Sequence, residues 1–206
     1  MTKPGLTAQN ILSSALILIV GGCGSAPESK QIQAEYDKQS GKLRQLTYDS
    51  NKNGRSDSFS YMDGTKVLRV EIDKDEDGKI ERWEYYGADQ KLEKVGLSRL
   101  NDGKVDEWAY QGPDGTVAKV EISTKHDGKV SRTEFYEKEA LVRAEEDTDG
   151  NGAIDKWEAY SNGSLTSVAF DTEGSGRPTR RLVYGKNGSL ERNEKGSELE
   201  NTPSKP

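Results

Sequence analysis

The stretch VEIDKDEDGKIERWEYY, residues 70–86, decides the fold of this 206-residue chain. Apolar and polar residues alternate at both of its ends, and between them lies an acidic segment that ends at Gly78. An alternation of period two that is rich in β-branched and aromatic residues is typical of strands. The stretch therefore predicts two strands joined by a polar loop.

The glycine of this stretch recurs every 24 or 25 residues, at Gly54, Gly78, Gly103, Gly128, Gly152 and Gly176. Four of these glycines are followed by an aliphatic residue at the second position, and four by an aromatic residue at the fifth. Self-similarity at such a period indicates a repeat architecture. The sequence predicts about six hairpin repeats of 24–25 residues, or about twelve strands of typical length.

Segments rich in Gly and Asn connect each repeat to the next, for example at residues 112–115 and 161–163. These residues tolerate the positive φ that tight hairpin turns require. The predicted fold is all-β: an antiparallel meander in a single curved sheet or an open, barrel-like one, with no helix beyond the N-terminal segment. Trp83 and Tyr86 are three residues apart, so in a regular strand their large side chains would point to opposite faces. Either both faces of the sheet are partly covered or a bulge changes the register.

The N-terminus has the parts of an export signal. Lys3 supplies a positive charge, residues 11–20 (ILSSALILIV) are apolar, and VGGC at residues 20–23 follows. Ten apolar residues are too few for a membrane-spanning helix, which needs about 20. VGGC resembles the lipobox of bacterial lipoproteins. That resemblance implies cleavage before Cys23, attachment of a diacylglycerol to its thiol and acylation of the new N-terminus, with palmitate as an expected acyl group. An ordinary signal peptide followed by a stray cysteine is the alternative.

The predicted organisation is a signal peptide at 1–22, the lipidated Cys23 and a tether at 23–30, a repeat domain at 31–190 and a disordered tail at 191–206. The tail has no apolar pattern, as is typical of disorder. The lipid anchor implies attachment to a membrane of the cell envelope. Gly24 stands where an Asp would signal inner-membrane retention, so the outer membrane is expected in a cell with two membranes.

The composition limits both the core and the partners of the chain. Hydrophobic residues make up 31% of it, its formal net charge is −6 and its mean hydropathy is −0.92. Cys23 is the only cysteine, so no disulfide stabilises the chain. The acidic balance argues against nucleic acid as a partner, because nucleic-acid binding requires a basic face. We expect a thin core stabilised by the sheet itself.

Acidic and amide residues alternate in three of the loops. Calcium takes six to eight oxygen ligands, and alternating side chains in a tight loop can point their oxygens inward. The candidate ligands are Asp73, Asp75, Asp77 and Glu81 in the second unit, Asp147, Asp149, Asn151 and Asp155 in the fifth, and Asp49, Asn51, Asn53 and Asp57 in the first.

These loops resemble the calcium loop of EF-hands, although strands flank them here in place of helices. They resemble more closely the DxDxDGxxD loops in β-hairpins of exported calcium-binding proteins. That resemblance implies calcium as a cofactor and a ligand three residues after the glycine, at Glu81, Asp155 and Asp57. The alternative is that the loops are plain polar turns, because Asn-Gly and Asp-Gly are good turn formers.

The turns from Tyr36 to Leu43 and from Tyr160 to Leu165 resemble bacterial MORN-type and YD-type hairpin repeats, over roughly residues 31–190. This resemblance implies a scaffold or interaction role. The sequence has no Gly-x-Ser-x-Gly or His-Glu-x-x-His motif and a single histidine, His126, so we do not expect an enzyme. The expected function is that of a non-enzymatic envelope lipoprotein that binds an envelope protein or a glycan and is stabilised by calcium.

Three tryptophans recur at one position of the repeat, Trp83, Trp108 and Trp157. If they form an exposed stripe, they could stack on sugar rings, and the chain would be a carbohydrate- or peptidoglycan-binding module. If they pack against neighbouring strands, they contribute to the thin core instead. The exposure of the three rings distinguishes these alternatives.

Overall fold

A computed structural model describes residues 31–196 and 199 of the chain. These residues form one open sheet of 14 antiparallel strands, whose order in space is their order in sequence. The strands are β1 (Ile32–Tyr36), β2 (Leu43–Tyr48), β3 (Ser58–Asp63), β4 (Lys66–Ile72), β5 (Arg82–Tyr86), β6 (Leu92–Leu97), β7 (Glu107–Gln111), β8 (Val117–Ile122), β9 (Arg132–Glu137), β10 (Ala140–Glu146), β11 (Lys156–Ser161), β12 (Ser164–Phe170), β13 (Arg180–Tyr184) and β14 (Leu190–Lys195). The predicted all-β meander in a single sheet is confirmed.

The predicted signal peptide, Cys23 and the tether lie outside the described residues. So do residues 197–206, apart from Leu199. The part of the chain that the structure describes contains no helix that could span a membrane.

The sheet has two strands more than the sequence predicted. The six repeat glycines lie in loops between β2 and β13, while β1 and β14 extend the sheet beyond the first and last loops. Residues 191–195, expected in the disordered tail, form most of β14 and pair with β13. The segment LERNEK has one apolar residue, but ladder hydrogen bonds come from the backbone and do not require apolar side chains.

Two kinds of connection alternate along the meander, and each kind lies at its own end of the sheet. The six long loops that contain the repeat glycines form one end, which we call the loop edge. The tight turns form the other end, and each of the seven hairpins that they close has a register shift near the turn. One such shift lies opposite Tyr85 and Tyr86, but its extra residue, Glu93, belongs to β6. Trp83 and Tyr86 therefore point to opposite faces of a regular β5, and both faces are partly covered.

The strand register defines two faces. Face A is the face of Val95, which pairs with Ala109, which in turn pairs with Val120. Face B is the face of Trp108, which pairs with Gly96. The hydrophobic core is small and lies on face A of β7 and β8, where Ala109, Val117 and Val120 pack together with Ile122 and Tyr136.

Charged side chains take the place of apolar ones in much of face A. Arg132 of β9 contacts three carboxylates: its Nε lies 2.8 Å from Glu134, its Nη1 3.1 Å from Glu146 and its Nη2 2.7 Å from Glu158. Lys156 adds contacts to Glu146 and Glu158, at 3.1 and 2.7 Å. Buried charges cost free energy unless they are paired and hydrogen-bonded. This ion-pair ladder therefore depends on a complete set of partners.

Candidate metal centre

The six loops of the loop edge share one backbone conformation. We number them loop 1 (49–57), loop 2 (73–81), loop 3 (98–106), loop 4 (123–131), loop 5 (147–155) and loop 6 (171–179), with the repeat glycine at position 6 of each. The residues at positions 4 and 6 have positive φ in every loop, as for Glu76 (60°) and Gly78 (88°) in loop 2. Glycine fits position 6 because it adopts this conformation without a steric cost.

Side chains at positions 1, 5 and 9 hold this backbone in place. In loop 2, Asp73 accepts the Gly78 N–H at 2.9 Å, Asp77 accepts the Lys79 N–H at 2.8 Å, and Glu81 accepts the Lys74 N–H at 2.7 Å. In all six loops the side chain at position 9 accepts the N–H of position 2. Ser131 and Thr179 accept it with a hydroxyl oxygen, and the other four loops use a carboxylate. Positions 1, 5 and 9 thus have a turn-forming role that requires no metal.

Position 3 distinguishes the loops. Asn51, Asp75 and Asp149 stand there in loops 1, 2 and 5, where each accepts the N–H of position 5. Loops 3 and 4 keep the same backbone conformation with Leu100 and Lys125 at this position. An oxygen at position 3 is therefore not required to form the turn, although it accepts one further N–H where it is present.

Two groups of three carboxylates form in loops 2 and 5, where positions 1, 3 and 9 are all acidic, whereas loop 6 has Glu173 at position 3 but Thr179 at position 9. One oxygen from each of Asp73, Asp75 and Glu81 lies within 4.8 Å of the others, and Asp147, Asp149 and Asp155 form the matching group in loop 5. Three carboxylates this close repel one another, and hard cations such as calcium bind to oxygen ligands of this kind. The donor sets of loops 2 and 5 therefore fit a divalent cation.

Of the two predicted ligands at position 5, Asp77 is not part of the carboxylate group of loop 2, and Asn151 contacts the group of loop 5 through its nitrogen. Asp77 accepts the Lys79 N–H and lies 3.2 Å from the Lys79 ammonium, which together hold its pKa below the ordinary value. Asn151 accepts the Ala153 N–H with its Oδ1 at 2.7 Å and donates its Nδ2 to Asp149 at 3.0 Å. Both side chains face the turn that follows the glycine.

Loops 2 and 5 differ at position 1. Asp147 accepts N–H groups on both oxygens, from Gly150 at 2.7 Å and from Gly152 at 2.7 Å. Burial raises the pKa of Asp147, but these N–H donors outweigh it and hold the pKa below the ordinary value. Asp73 is 7% exposed, and its Oδ1 is buried with no hydrogen-bond partner. Such an atom costs about 1–3 kcal/mol, so loop 2 contains an unsatisfied oxygen beside two further carboxylates.

Loop 1 uses its amides differently. Asn51 and Asn53 donate their Nδ2 groups to Glu76 of loop 2, each at 2.6 Å, and these bonds hold the pKa of Glu76 below its ordinary value. Asp49 and Asp57 of loop 1 are buried and accept backbone N–H groups. The four predicted ligands of loop 1 therefore do not form a third group of carboxylates.

Contacts between loops were missed by sequence reasoning. The side chain at position 4 reaches the preceding loop: Glu76 contacts loop 1, Asn101 donates to Asp75 of loop 2 at 2.6 Å, and His126 Nδ1 lies 3.1 Å from Asp106 of loop 3. The residue at position 4 varies in type among the six loops and includes lysine and glycine. The sequence therefore has no pattern that predicts a contact between loops at this position.

The three tryptophans lie half-buried on face B. The ring of Trp108 lies 5.8 Å from that of Tyr85, and the Lys94 ammonium lies over both rings, 4.3 Å from Trp108 and 4.9 Å from Tyr85. A cation over an aromatic ring is attracted by the electrons of its face. This contact competes with the stacking of a sugar on Trp108.

The sequence matches no protein-family model and no curated protein. Among solved structures, TarM from S. aureus gives 17% identity and a TM-score of 0.38, covering 48% of this chain and 19% of that one. Accessory secretory proteins 1, 2 and 3 of Streptococcus pneumoniae give 12% identity and a TM-score of 0.22, covering 64% of this chain. The match again spans 19% of that chain, and neither likeness carries an argument about function.

Proposed function

We propose that the chain is a non-enzymatic lipoprotein of the cell envelope, anchored through Cys23, whose hairpin-repeat sheet is a scaffold for interaction with other envelope molecules and is stabilised by calcium at loops 2 and 5. The anchor rests on the lipobox-like sequence at residues 20–23. The scaffold role is supported by the 14-strand open sheet, which offers two extended faces and a row of six loops.

The observation that carries the calcium proposal is the buried, unpaired Oδ1 of Asp73 in the carboxylate group of loop 2. A divalent cation would satisfy this oxygen and remove the repulsion among Asp73, Asp75 and Glu81. Carboxylate oxygens favour calcium or magnesium over metals that prefer nitrogen or sulfur. Calcium fits better than magnesium because it accepts the irregular geometry of a flexible loop, whereas magnesium requires a near-ideal octahedron.

The two loops are expected to bind with different affinities. Among the predicted ligands, loop 2 carries one negative charge more than loop 5, because Asp77 corresponds to Asn151, although Asp77 lies outside the carboxylate group and is paired with Lys79. In addition, both oxygens of Asp147 already accept N–H groups, whereas one oxygen of Asp73 accepts none. Loop 2 is therefore proposed as the tighter site.

The test is a thermal melt of the soluble chain from residue 24, in EDTA and in millimolar calcium. Exported calcium sites bind at ~10⁻⁴–10⁻³ M. A tenfold excess over the dissociation constant stabilises the folded state by roughly 1.4 kcal/mol, so the melting temperature is expected to rise. The double variant Asp75→Ala with Asp149→Ala is expected to lose most of the rise, because position 3 supplies a ligand and is not needed for the turn.

The matched control is Leu100→Ala with Lys125→Ala, which changes position 3 in two loops without a carboxylate group. This control is expected to keep the calcium-dependent rise. Identical melts of the wild type in EDTA and calcium, with no heat of binding, would show that the loops are only turns.

A further inference from the structure

Asn101, at position 4 of loop 3, lies against the carboxylate group of loop 2. Its Nδ2 donates to Asp75 Oδ2 at 2.6 Å, and its backbone oxygen accepts the Lys79 ammonium at 3.3 Å. Its own Oδ1 is buried and has no hydrogen-bond partner, as is the case for Asp73 Oδ1. Two neighbouring repeats thus each bring an unsatisfied oxygen to the same part of the loop edge.

The amide oxygen of Asn101 lies within reach of the proposed cation. The bond lengths of an amide place its oxygen and nitrogen about 2.2 Å apart. With Nδ2 at 2.6 Å from Asp75 Oδ2, the Asn101 Oδ1 lies within about 5 Å of that carboxylate oxygen. The χ2 torsion of asparagine is broad and roughly two-fold, so a half turn brings the oxygen to the position of the nitrogen.

We propose that Asn101 supplies a ligand oxygen to the cation of loop 2, so that the ion joins the second and third repeats. This inference rests on the proposed cation site in loop 2. Without the ion, the amide donates to Asp75. When the ion neutralises the carboxylates, the amide turns and its Oδ1 binds the ion. Calcium needs six to eight oxygens, and amide oxygens are among its usual ligands, so three carboxylates alone leave the coordination incomplete.

The neighbouring loops do not offer the same arrangement. The loop that follows loop 5 is loop 6, and its position 4 is Gly174, which has no side chain that could reach loop 5. Glu76, which reaches loop 1, accepts the amides of Asn51 and Asn53 and lies 3.4 Å from Arg55. The bridging ligand is therefore particular to loop 2, and it adds a reason for this loop to bind more tightly than loop 5.

The test compares Asn101→Gly with the wild type, as the full chain in detergent micelles, by calorimetric titration with calcium. Asn101 has a φ of 52°, so glycine removes the side chain without straining the backbone. The affinity of the tighter site is expected to fall on the order of tenfold, the usual scale for the loss of a residue that supports a metal site. The matched control is His126→Gly, at position 4 of loop 4, which is expected to leave this affinity unchanged.

Hydrogen exchange gives a second measurement, which requires only the wild type to fold. If the ion joins the two repeats, calcium is expected to slow amide exchange in loop 3 as well as in loop 2. The inference would be overturned if the wild type and Asn101→Gly bound calcium with equal affinity and if calcium left amide exchange in loop 3 unchanged. The proposed site in loop 2 would then remain. Absence of any calcium binding by the wild type would overturn both proposals.

Discussion

At the scale of single residues, close packing on face B depends on one glycine. Gly96 pairs with Trp83 on one side and with Trp108 on the other. A Cβ at Gly96 would lie 2.9 Å from Cζ3 of Trp108, closer than carbon atoms approach in folded proteins. The corresponding residue opposite Trp157 is Ala169, which has Arg181 and no second tryptophan as its other neighbour. The pair of tryptophans therefore explains why a side chain is absent at Gly96.

We expect Gly96→Ala to destabilise the chain by about 1–3 kcal/mol, the usual cost of overpacking, in a denaturant unfolding experiment. If the contact with the ring is the cause, the same change in a Trp108→Leu background should cost less, as a double-mutant cycle would show. An equal cost in both backgrounds would point to the backbone of β6 instead.

At the scale of elements, adjacent strands are joined on face A by hydrogen-bonded charges as well as by apolar contacts. Within single strands, Tyr86, Tyr136 and Tyr160 donate hydroxyl hydrogen bonds to the glutamate two residues before them, at 2.7, 2.7 and 2.9 Å, and so hold these carboxylates in place. Arg132 joins β9, β10 and β11 through Glu134, Glu146 and Glu158. Cross-strand pairs of this kind stabilise a sheet whose apolar core is confined to a few residues.

We expect Arg132→Met to destabilise the chain by about 3–5 kcal/mol at pH 7, because it leaves Glu134 without a cation and leaves Glu146 and Glu158 to share Lys156. Arg132 is 16% exposed at its side chain, whereas the control Arg143→Met changes an arginine that is 51% exposed and should cost under about 1 kcal/mol. Denaturant unfolding measures both costs.

The pH dependence gives a further check on this ladder. Burial raises the pKa of Glu158, but Lys156 and Arg132 outweigh it and hold the pKa below the ordinary value. The stability from this carboxylate is complete above the unfolded pKa of ~4.3 and is lost as the pH falls through the lower folded pKa. In Arg132→Met, Glu158 keeps only Lys156 as its cation and binds a proton more readily, so the deficit of the variant relative to the wild type should be smaller at pH 5 than at pH 7. A deficit that is the same at both pH values would contradict the ladder.

At the scale of the whole molecule, the sheet is open and thin. Val95 is the one large side chain that is fully buried among the described residues, and the two edge strands, β1 and β14, each pair with a single neighbour. Backbone pairing therefore connects the sheet from β1 to β14, whereas the buried apolar core is confined to a few residues. Attachment to the membrane is proposed to come from outside this sheet, through Cys23.

We expect Cys23→Ser to release the chain from membranes or to leave its signal uncleaved, because the thiol is the proposed site of lipid attachment. Cell fractionation and the mass of the mature chain measure this outcome. Ser25→Ala, two residues away, is the matched control and should be processed and anchored normally. A Cys23→Ser variant that is still cleaved and membrane-bound would contradict the lipoprotein proposal.

The sequence alone determined the hairpin repeats, because period-two alternation and turn-forming glycines act over a few neighbouring residues. The same local rules predicted the oxygen-rich loops, among them Asp73, Asp75 and Glu81. They missed β14, whose residues 191–195 pair through the backbone and have no apolar pattern.

Only the tertiary structure decided which side chains meet across repeats. The approach of Asn101 to Asp75 and the contact of Trp108 with Gly96 depend on strand register, and the seven bulges shift that register within the hairpins. Likewise, the unpaired oxygen of Asp73 and the separation of Asp77 from the carboxylate group follow from which N–H groups each loop turns inward. Residues about 25 positions apart become neighbours only when the strands between them are paired, so no local pattern encodes these contacts.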